Sequence, residues 1–403
     1  MKDFPDNFYW GAATASYQVE GGIDNCDWAE AARQGRVPVC GRACDHYNRF
    51  EADFDIAKEL GHTAHRLSVE WARIEPEEGQ FDREEIAHYR EVLQALKDRN
   101  IKPFVTIWHF TQPLWFSQSG SFERADSPEI FARYAQFVVA ELGDLCDHFS
   151  TMNEPNVFGT QGWINGEWPP FKVSKKPWQR SYTGKMLTKR SKTTSLFSYF
   201  KVMSNLVKSH NLAYKKIKEV KPNSVVSYVK HIHVYLKPKG LLNKFRAVMS
   251  DYLQNHRFTK KTINSLDEIG INYYQASQYG IELTERKTDM GWNYTPEHIY
   301  NALMLISKYN KPMFVSEAGI ADNDDSDRAE YIIKQVEGVR RAVADGADVR
   351  GHMYWSLMDN YEWALGFEKQ FGLIKVNYDT LEREIRPSAW VYKDIITKYS
   401  KVE

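Results

Sequence analysis

The sequence predicts an α/β protein folded as a single (β/α)8 TIM barrel, and three observations carry that prediction. Short apolar runs alternate with helix-like stretches along the 403 residues, eight times in all, without a convincing linker. No Gly-x-Gly-x-x-Gly follows any apolar run, which removes the main cue for an open, doubly wound sheet. Polar and aromatic residues collect where the runs end, as they do when a barrel gathers its working groups at one rim. The expected domain is 1–403, carrying a basic loop insertion around 171–198.

In chain order, residues 8–17 read as a first strand of small residues ending at Gln18. Residues 47–60 read as a helix, closed by Gly61 at a position that favours a C-cap. A strand at 63–69 carries Arg66 and precedes a helix at 83–99. The strand at 103–109 ends in Trp108-His109, with a helix at 128–146. The fourth strand ends in Asn153-Glu154 and is followed by a helix at 199–220. Strands at 225–230, 269–274, 313–317 and 351–357 follow, with helices at 242–258, 296–309, 328–344 and 390–398.

Composition excludes some functions. Equal numbers of acidic and basic residues give a formal charge of zero, so no global charge favours nucleic acid. No apolar run is long enough to span a bilayer. The start, Met1-Lys2-Asp3-Phe4-Pro5, has no signal-peptide core, which points to a cytoplasmic protein. Four cysteines in such a chain read as reduced thiols rather than a disulfide framework. Aromatic residues reach 14%, including 12 Trp and 23 Tyr, and flat aromatic faces suit sugar C–H surfaces.

The chemistry centres on two carboxylates. Thr151-Met152-Asn153-Glu154-Pro155-Asn156 puts a carboxyl where a strand gives way to a loop. Pro155 removes a ladder donor and biases Glu154 toward extended backbone. Alone, a Glu-Pro pair reads most simply as a solvated turn. A second glutamate alters that reading. Met313-Phe314-Val315-Ser316-Glu317 again delivers one carboxyl at a strand end, followed by Ala318-Gly319. Two carboxylates in one cleft are what glycoside hydrolysis needs.

Five segments, in order, carry a resemblance over nearly the whole chain: residues 8–21 (FYWGAATASYQVEG), 151–156 (TMNEPN), 270–274 (GINYY), 315–319 (VSEAG) and 355–363 (WSLMDNYEW). They resemble glycoside hydrolase family 1, the β-glucosidase/β-galactosidase family, and Arg66-Leu67-Ser68-Val69-Glu70-Trp71 does so too. The resemblance implies a retaining β-glycosidase acting on terminal β-D-glucosyl, galactosyl or fucosyl residues. Glu154 would be the acid/base and Glu317 the nucleophile, with carboxyl groups roughly 5–5.5 Å apart. Arg66 and Tyr274 would support Glu317 and keep it ionised, leaving the proton on Glu154. Gln18, His109, Asn153, Glu362 and Trp363 would hydrogen-bond sugar hydroxyls, over a floor made by Trp355. Asn272, Tyr274 and Phe371 complete the expected sugar site. Glu362 as a carboxylate would accept from hydroxyls and repel a sugar phosphate. No metal or organic cofactor is expected, the partner is a small β-glycoside or oligosaccharide, and the oligomeric state is left open.

Some features depart from the family or lie outside it. Ala318 stands where the family usually has Asn, and Phe110 where many members have Trp. The segment between Tyr274 and Glu317 is short, which implies a trimmed loop beside the leaving-group site. Rival readings are an inactive sugar-binding barrel, and an enzyme that mainly transfers sugars instead of hydrolysing them. His231-Ile232-His233 could mimic a metallohydrolase site, and Cys26, Cys40, Cys44 and His46 a zinc site, but neither has a matching ligand set. Residues 171–218 hold thirteen Lys and Arg and no acid, among them Lys175, Lys176, Lys189 and Arg190. The plain reading of that stretch is a solvated lid; the functional one is docking on anionic lipid or an anionic aglycone.

Overall fold

The structure, a computed structural model, describes residues 3–174, 192–194 and 196–400. Eight strands close into a barrel: β1 (Tyr9–Ala13), β2 (Ala64–Ser68), β3 (Lys102–Thr106), β4 (His148–Asn153), β5 (Val225–His231), β6 (Glu268–Tyr273), β7 (Met313–Ala318) and β8 (Val349–Trp355). Each pairs in parallel with its sequence neighbours, and β8 returns to β1. Residues such as those of β2, β6 and β7 are buried throughout, because a parallel barrel covers both faces of every strand.

One long helix follows each strand: α1 (His46–Glu59), α2 (Arg83–Asp98), α3 (Ser127–Leu142), α4 (Leu196–Val220), α5 (Leu241–Asp251), α6 (Ile299–Ser307), α7 (Arg328–Ala344) and α8 (Pro387–Tyr399). Local chemistry sets their ends. Asp82 caps α2 by accepting from the N–H groups of Glu84 and Glu85, and Pro387 opens α8 at a position where its missing N–H costs nothing. Apolar residues between strands and helices form the larger core. Inside the barrel, small Ala13 and Ala64 sit with Phe104, Phe314 and Met353. No described helix is long and apolar enough to cross a membrane.

The alternation of strands and helices matches the sequence expectation, while several boundaries do not. The first strand stops at Ala13, and Ser16–Val19 is a helical turn, so Gln18 sits on a turn and not on a strand. Ser68 Oγ accepts from the Ser16 N–H at 2.8 Å, drawing the chain off the sheet. β3 ends at Thr106, leaving Trp108 and His109 in the loop beyond it. The helix expected over 242–258 is α5, a π-helical turn at Tyr252–His256, and a short helix at Arg257–Thr262. Glu154 is not extended: its φ of 43° and ψ of 57° are left-handed, and Pro155 opens a helix, Pro155–Trp163. A proline at the first helical position disfavours only the right-handed helical form of its predecessor, and the left-handed form satisfies it too. Most of the expected basic insertion, including Lys175, Lys176, Lys189 and Arg190, lies outside the described residues.

Register shifts mark the two strands that matter most. β4 slips against β5 between Ser150 and Asn153, and β7 slips against β6 between Val315 and Glu317. Such irregularities turn a side chain away from the regular alternation, and here they fall just before Glu154 and Glu317. The end of β7 also lies very close to β8. A Cβ added at Gly319 would stand 1.9 Å from the Trp355 carbonyl oxygen. Gly319→Ala should therefore force the two strands apart and cost about 2–4 kcal/mol. Urea unfolding of the variant checks this, and an unchanged midpoint would mean that the strands have room to spare.

Candidate active site

The strand ends meet around a cavity of about 380 Å3. Its walls include Gln18, His109, Asn153, Glu154 and Tyr274, and also Glu317, Trp355, Glu362, Trp363 and Phe371. A cavity of this size suits a sugar ring with part of its aglycone. Arg66 and Asn272, expected in the same site, lie behind the wall, at 1% and 0% exposure. Asn272 therefore holds other residues rather than lining the cavity.

The connections start from Arg66, whose guanidinium can only donate. Its Nε gives a hydrogen bond to Thr106 Oγ1 at 2.9 Å, Nη1 gives one to Glu317 Oε1, and Nη2 gives one to Asn153 Oδ1 at 2.8 Å. Fixing the Asn153 oxygen leaves its Nδ2 to donate to His109 Nε2 at 3.1 Å. His109 therefore accepts on Nε2 and carries its proton on Nδ1. That proton has no partner in the protein, and neither does the buried Gln18 Oε1. One free donor and one free acceptor thus belong to residues lining the same cavity, ready for hydroxyl groups. Gln18 is held in place through Nε2, which donates to Asn360 Oδ1 and to the Tyr361 carbonyl.

Glu154 is fixed from the neighbouring strand. Ser316 donates to Asn272 Oδ1 at 2.7 Å, so the Asn272 Nδ2 faces Glu154 Oε1 and donates to it at 2.8 Å. His231 Nδ1 lies 3.5 Å from the same oxygen, with its ring stacked on Tyr274. The His-x-His spacing gives no hint of this contact with Glu154. His233 pairs instead with Ser277 Oγ at 2.6 Å. Among the described residues, no three His, Cys, Asp or Glu gather in a metal-holding group. Cys26, Cys40 and Cys44 donate to separate backbone carbonyls, and His46 bonds to Asp53.

Burial shapes the charges. It raises the Glu317 carboxyl, the Arg66 charge opposes that rise, and nearby Glu154 adds to it. Tyr274 donates to Glu317 Oε2 at 2.6 Å. Burial and the negative charges of Glu317 and Glu154 hold the Tyr274 phenol well above its usual range, so it keeps its proton. Burial, with the Arg66 charge, keeps His109 neutral by pushing it well below its usual range. Glu362 rises to about 8, through burial first and then repulsion from Glu317 and Glu154. This rise favours the protonated form near neutral pH in the protein alone, and so weakens the repulsion of a sugar phosphate that a carboxylate there would exert. Sugar hydroxyls that donate to it would restore the charged form.

Aromatic rings complete the cavity. His109 stacks near-parallel with both Trp355 and Trp363, at 6.0 and 6.1 Å between centroids. Phe371 packs against Tyr274 and Trp292. Trp168 and Trp292 also line the cavity, and both were missed from sequence because each sits in irregular chain without periodicity. Ala318, in place of the family's usual Asn, is a fully buried residue of β7.

Comparisons with known proteins point to one family. The family model described as glycosyl hydrolase family 1 matches residues 1–279 and 243–401. Beta-glucosidase A of Acetivibrio thermocellus is 30% identical, over 98% of this chain and 98% of its own. A beta-galactosidase of Saccharolobus solfataricus is 29% identical, over 98% of this chain and 96% of its own. A beta-glycosidase structure from Pyrococcus horikoshii superposes with a TM-score of 0.87 at 35% identity, covering 99% of this chain and 98% of that one. Beta-glucosidase from Thermotoga maritima, in complex with glucoimidazole, gives 0.89 at 26% identity, covering 99% and 100%.

The raised Glu362 carboxyl makes stability depend on pH. An unfolded glutamate titrates near about 4.3. Between that value and about 8 the folded chain holds a proton that the unfolded chain has lost. Stability therefore falls as pH rises through this window, by on the order of 3–5 kcal/mol in all. Glu362→Gln removes the loss, so its Tm should exceed the wild-type value clearly at pH about 9 and little at pH about 5. A Tm difference that did not change with pH would contradict the assignment.

Proposed function

The chain belongs to glycosyl hydrolase family 1, and we propose that it is a retaining β-glycosidase in which Glu317 is the nucleophile and Glu154 the acid/base. The observation that supports this reading is one hydrogen-bonded network. It reaches Glu317 through Arg66 and Tyr274, and Glu154 through Asn272, and both carboxyls line one cavity. Both Glu317 oxygens receive hydrogen bonds from donors that keep their protons, a setting that suits a carboxylate. Glu154 receives one from the Asn272 amide, and its place in the cavity suits the group that hands a proton to the leaving oxygen.

In the first step a Glu317 oxygen attacks the anomeric carbon as the bond to the leaving oxygen breaks, and Glu154 supplies that oxygen with a proton. The product of this step is a glycosyl ester of Glu317 and a free alcohol. In the second step Glu154, now a carboxylate, takes a proton from water, and that water displaces Glu317 from the sugar. The anomeric configuration is inverted twice and so retained. Arg66 can stabilise Glu317 both as attacking carboxylate and as departing group.

Terminal β-D-glucosyl, galactosyl and fucosyl residues are the proposed substrates. Relatives named beta-glucosidase and beta-galactosidase support that range. Gln18 lines the cavity with an unpaired acceptor, which a sugar hydroxyl can fill. Comparing kcat/KM over a panel of nitrophenyl β-glycosides ranks these sugars.

Two variants test the roles together. Glu317→Ala should lose turnover by several orders of magnitude, and added azide should restore part of it while giving a glycosyl azide of inverted configuration. Glu154→Gln should slow glycosides with poor leaving groups by about 10²–10⁴-fold and spare the first step for activated aryl glycosides. Equal losses for good and poor leaving groups, or near-normal turnover by Glu317→Ala, would reverse the assignments.

A further inference from the structure

Helix α5 presents its apolar side to solvent. Leu241, Leu242, Phe245, Val248 and Met249 share one arc at helical spacing, and Tyr252 in the following π-helical turn extends it. All six are exposed, with Leu241 at 84%, Phe245 at 65% and Val248 at 67%. Ala247 is the only buried residue of the helix. A helix of an ordinary globular protein buries such a stripe, so this one is inside out.

The charges beside the stripe have one sign. Lys244 and Arg246 flank it on the helix, and Lys237 and Lys239 precede it. Among the described residues none of these four pairs with a carboxylate, and the Arg246 guanidinium reaches only the Asn243 side chain. The single acid from 237 to 251, Asp251, pairs with His256 at 3.0 Å. The helix lies beside the catalytic cavity, joined to it by residues on either side. Tyr235 lines that cavity and also a second one of about 730 Å3 bordered by Lys244, Ala247 and Val248. Gln254, in the turn just after α5, lines the catalytic cavity as well.

We propose that α5 is an interfacial helix that lays the catalytic mouth against an anionic lipid surface. Its apolar stripe enters the boundary between headgroups and acyl chains, while Lys237, Lys239, Lys244 and Arg246 meet lipid phosphates at its edges. A second copy of the chain fits this surface less well, because like charges would then face each other across the contact. Docking by α5 would bring the cavity to glycosides whose aglycone is anchored in the lipid. The proposal goes beyond the catalytic reading, and its readout, vesicle binding, is independent of turnover.

The test is flotation of the full chain with vesicles of phosphatidylcholine alone or mixed with phosphatidylglycerol, at low and high salt. The wild type should bind the mixed vesicles, most strongly at low salt. Leu241→Glu with Phe245→Glu should weaken that binding at least about tenfold while turnover of a soluble aryl glycoside stays unchanged, which shows that the fold is intact. Lys239→Gln, Lys244→Gln and Arg246→Gln together should remove the preference for anionic vesicles. Equal binding to both vesicle types, or binding unaffected by the glutamate variant, overturns the proposal. So does a wild-type dimer that binds no vesicles and dissociates when the stripe carries the two glutamates.

Discussion

The site depends on one buried cation. Arg66 is 1% exposed and reaches three partners: Thr106 at the end of β3, Asn153 at the end of β4, and Glu317 on β7. A guanidinium in that position must be fully paired, since breaking a buried ion pair by removing one partner costs roughly 3–5 kcal/mol. Its requirement for acceptors sets the direction of each neighbour in turn. The Asn153 oxygen faces it, so the Asn153 amide faces His109, and His109 is left with a buried, unpaired donor on Nδ1. A lysine could not set this pattern, because it lacks the rigid fork that addresses three acceptors at once.

The barrel supplies what Arg66 connects. Parallel strands end at one rim, and register shifts in β4 and β7 turn Glu154 and Glu317 from the regular alternation. The left-handed backbone at Glu154 costs of order 1 kcal/mol or more, held in place by its N–H bond to the Val229 carbonyl and by Pro155 beginning a helix. Ser316, the residue before Glu317, orients Asn272 toward Glu154. Adjacent residues of one strand thus serve both carboxyls, so a shift of β7 would disturb the two together.

The barrel was legible in the sequence because its alternation is long-range and repeated, and errors at single boundaries do not disturb it. Helix α7 is found at its expected bounds, as its apolar period is regular and no functional loop interrupts it. The failures lie where tertiary contacts override local signals. The small residues of 8–17 suit a strand, but the Ser68 hydroxyl ends it early by capturing the Ser16 N–H. Pro155 reads locally as a strand breaker, and only the structure shows it opening a helix. Side chains carried by motifs could be placed around the cavity from sequence, whereas Trp168 and Trp292 come from irregular chain with no pattern to read. Protonation was the least legible property. The 355–363 segment places Glu362 in the sugar site, but its rise to about 8 depends on burial and on two carboxyls that only folding brings near.

We propose that this network makes Glu317 the nucleophile whose carboxylate oxygen is joined to the sugar in a covalent glycosyl ester. The most direct measurement is trapping with a 2-deoxy-2-fluoro β-glycoside bearing an activated leaving group, followed by proteolysis and peptide mass spectrometry. The account predicts one sugar per chain, attached to the peptide at Glu317, with activity lost in step with labelling. Label on another residue, or turnover of the reagent without any labelled peptide, would contradict it.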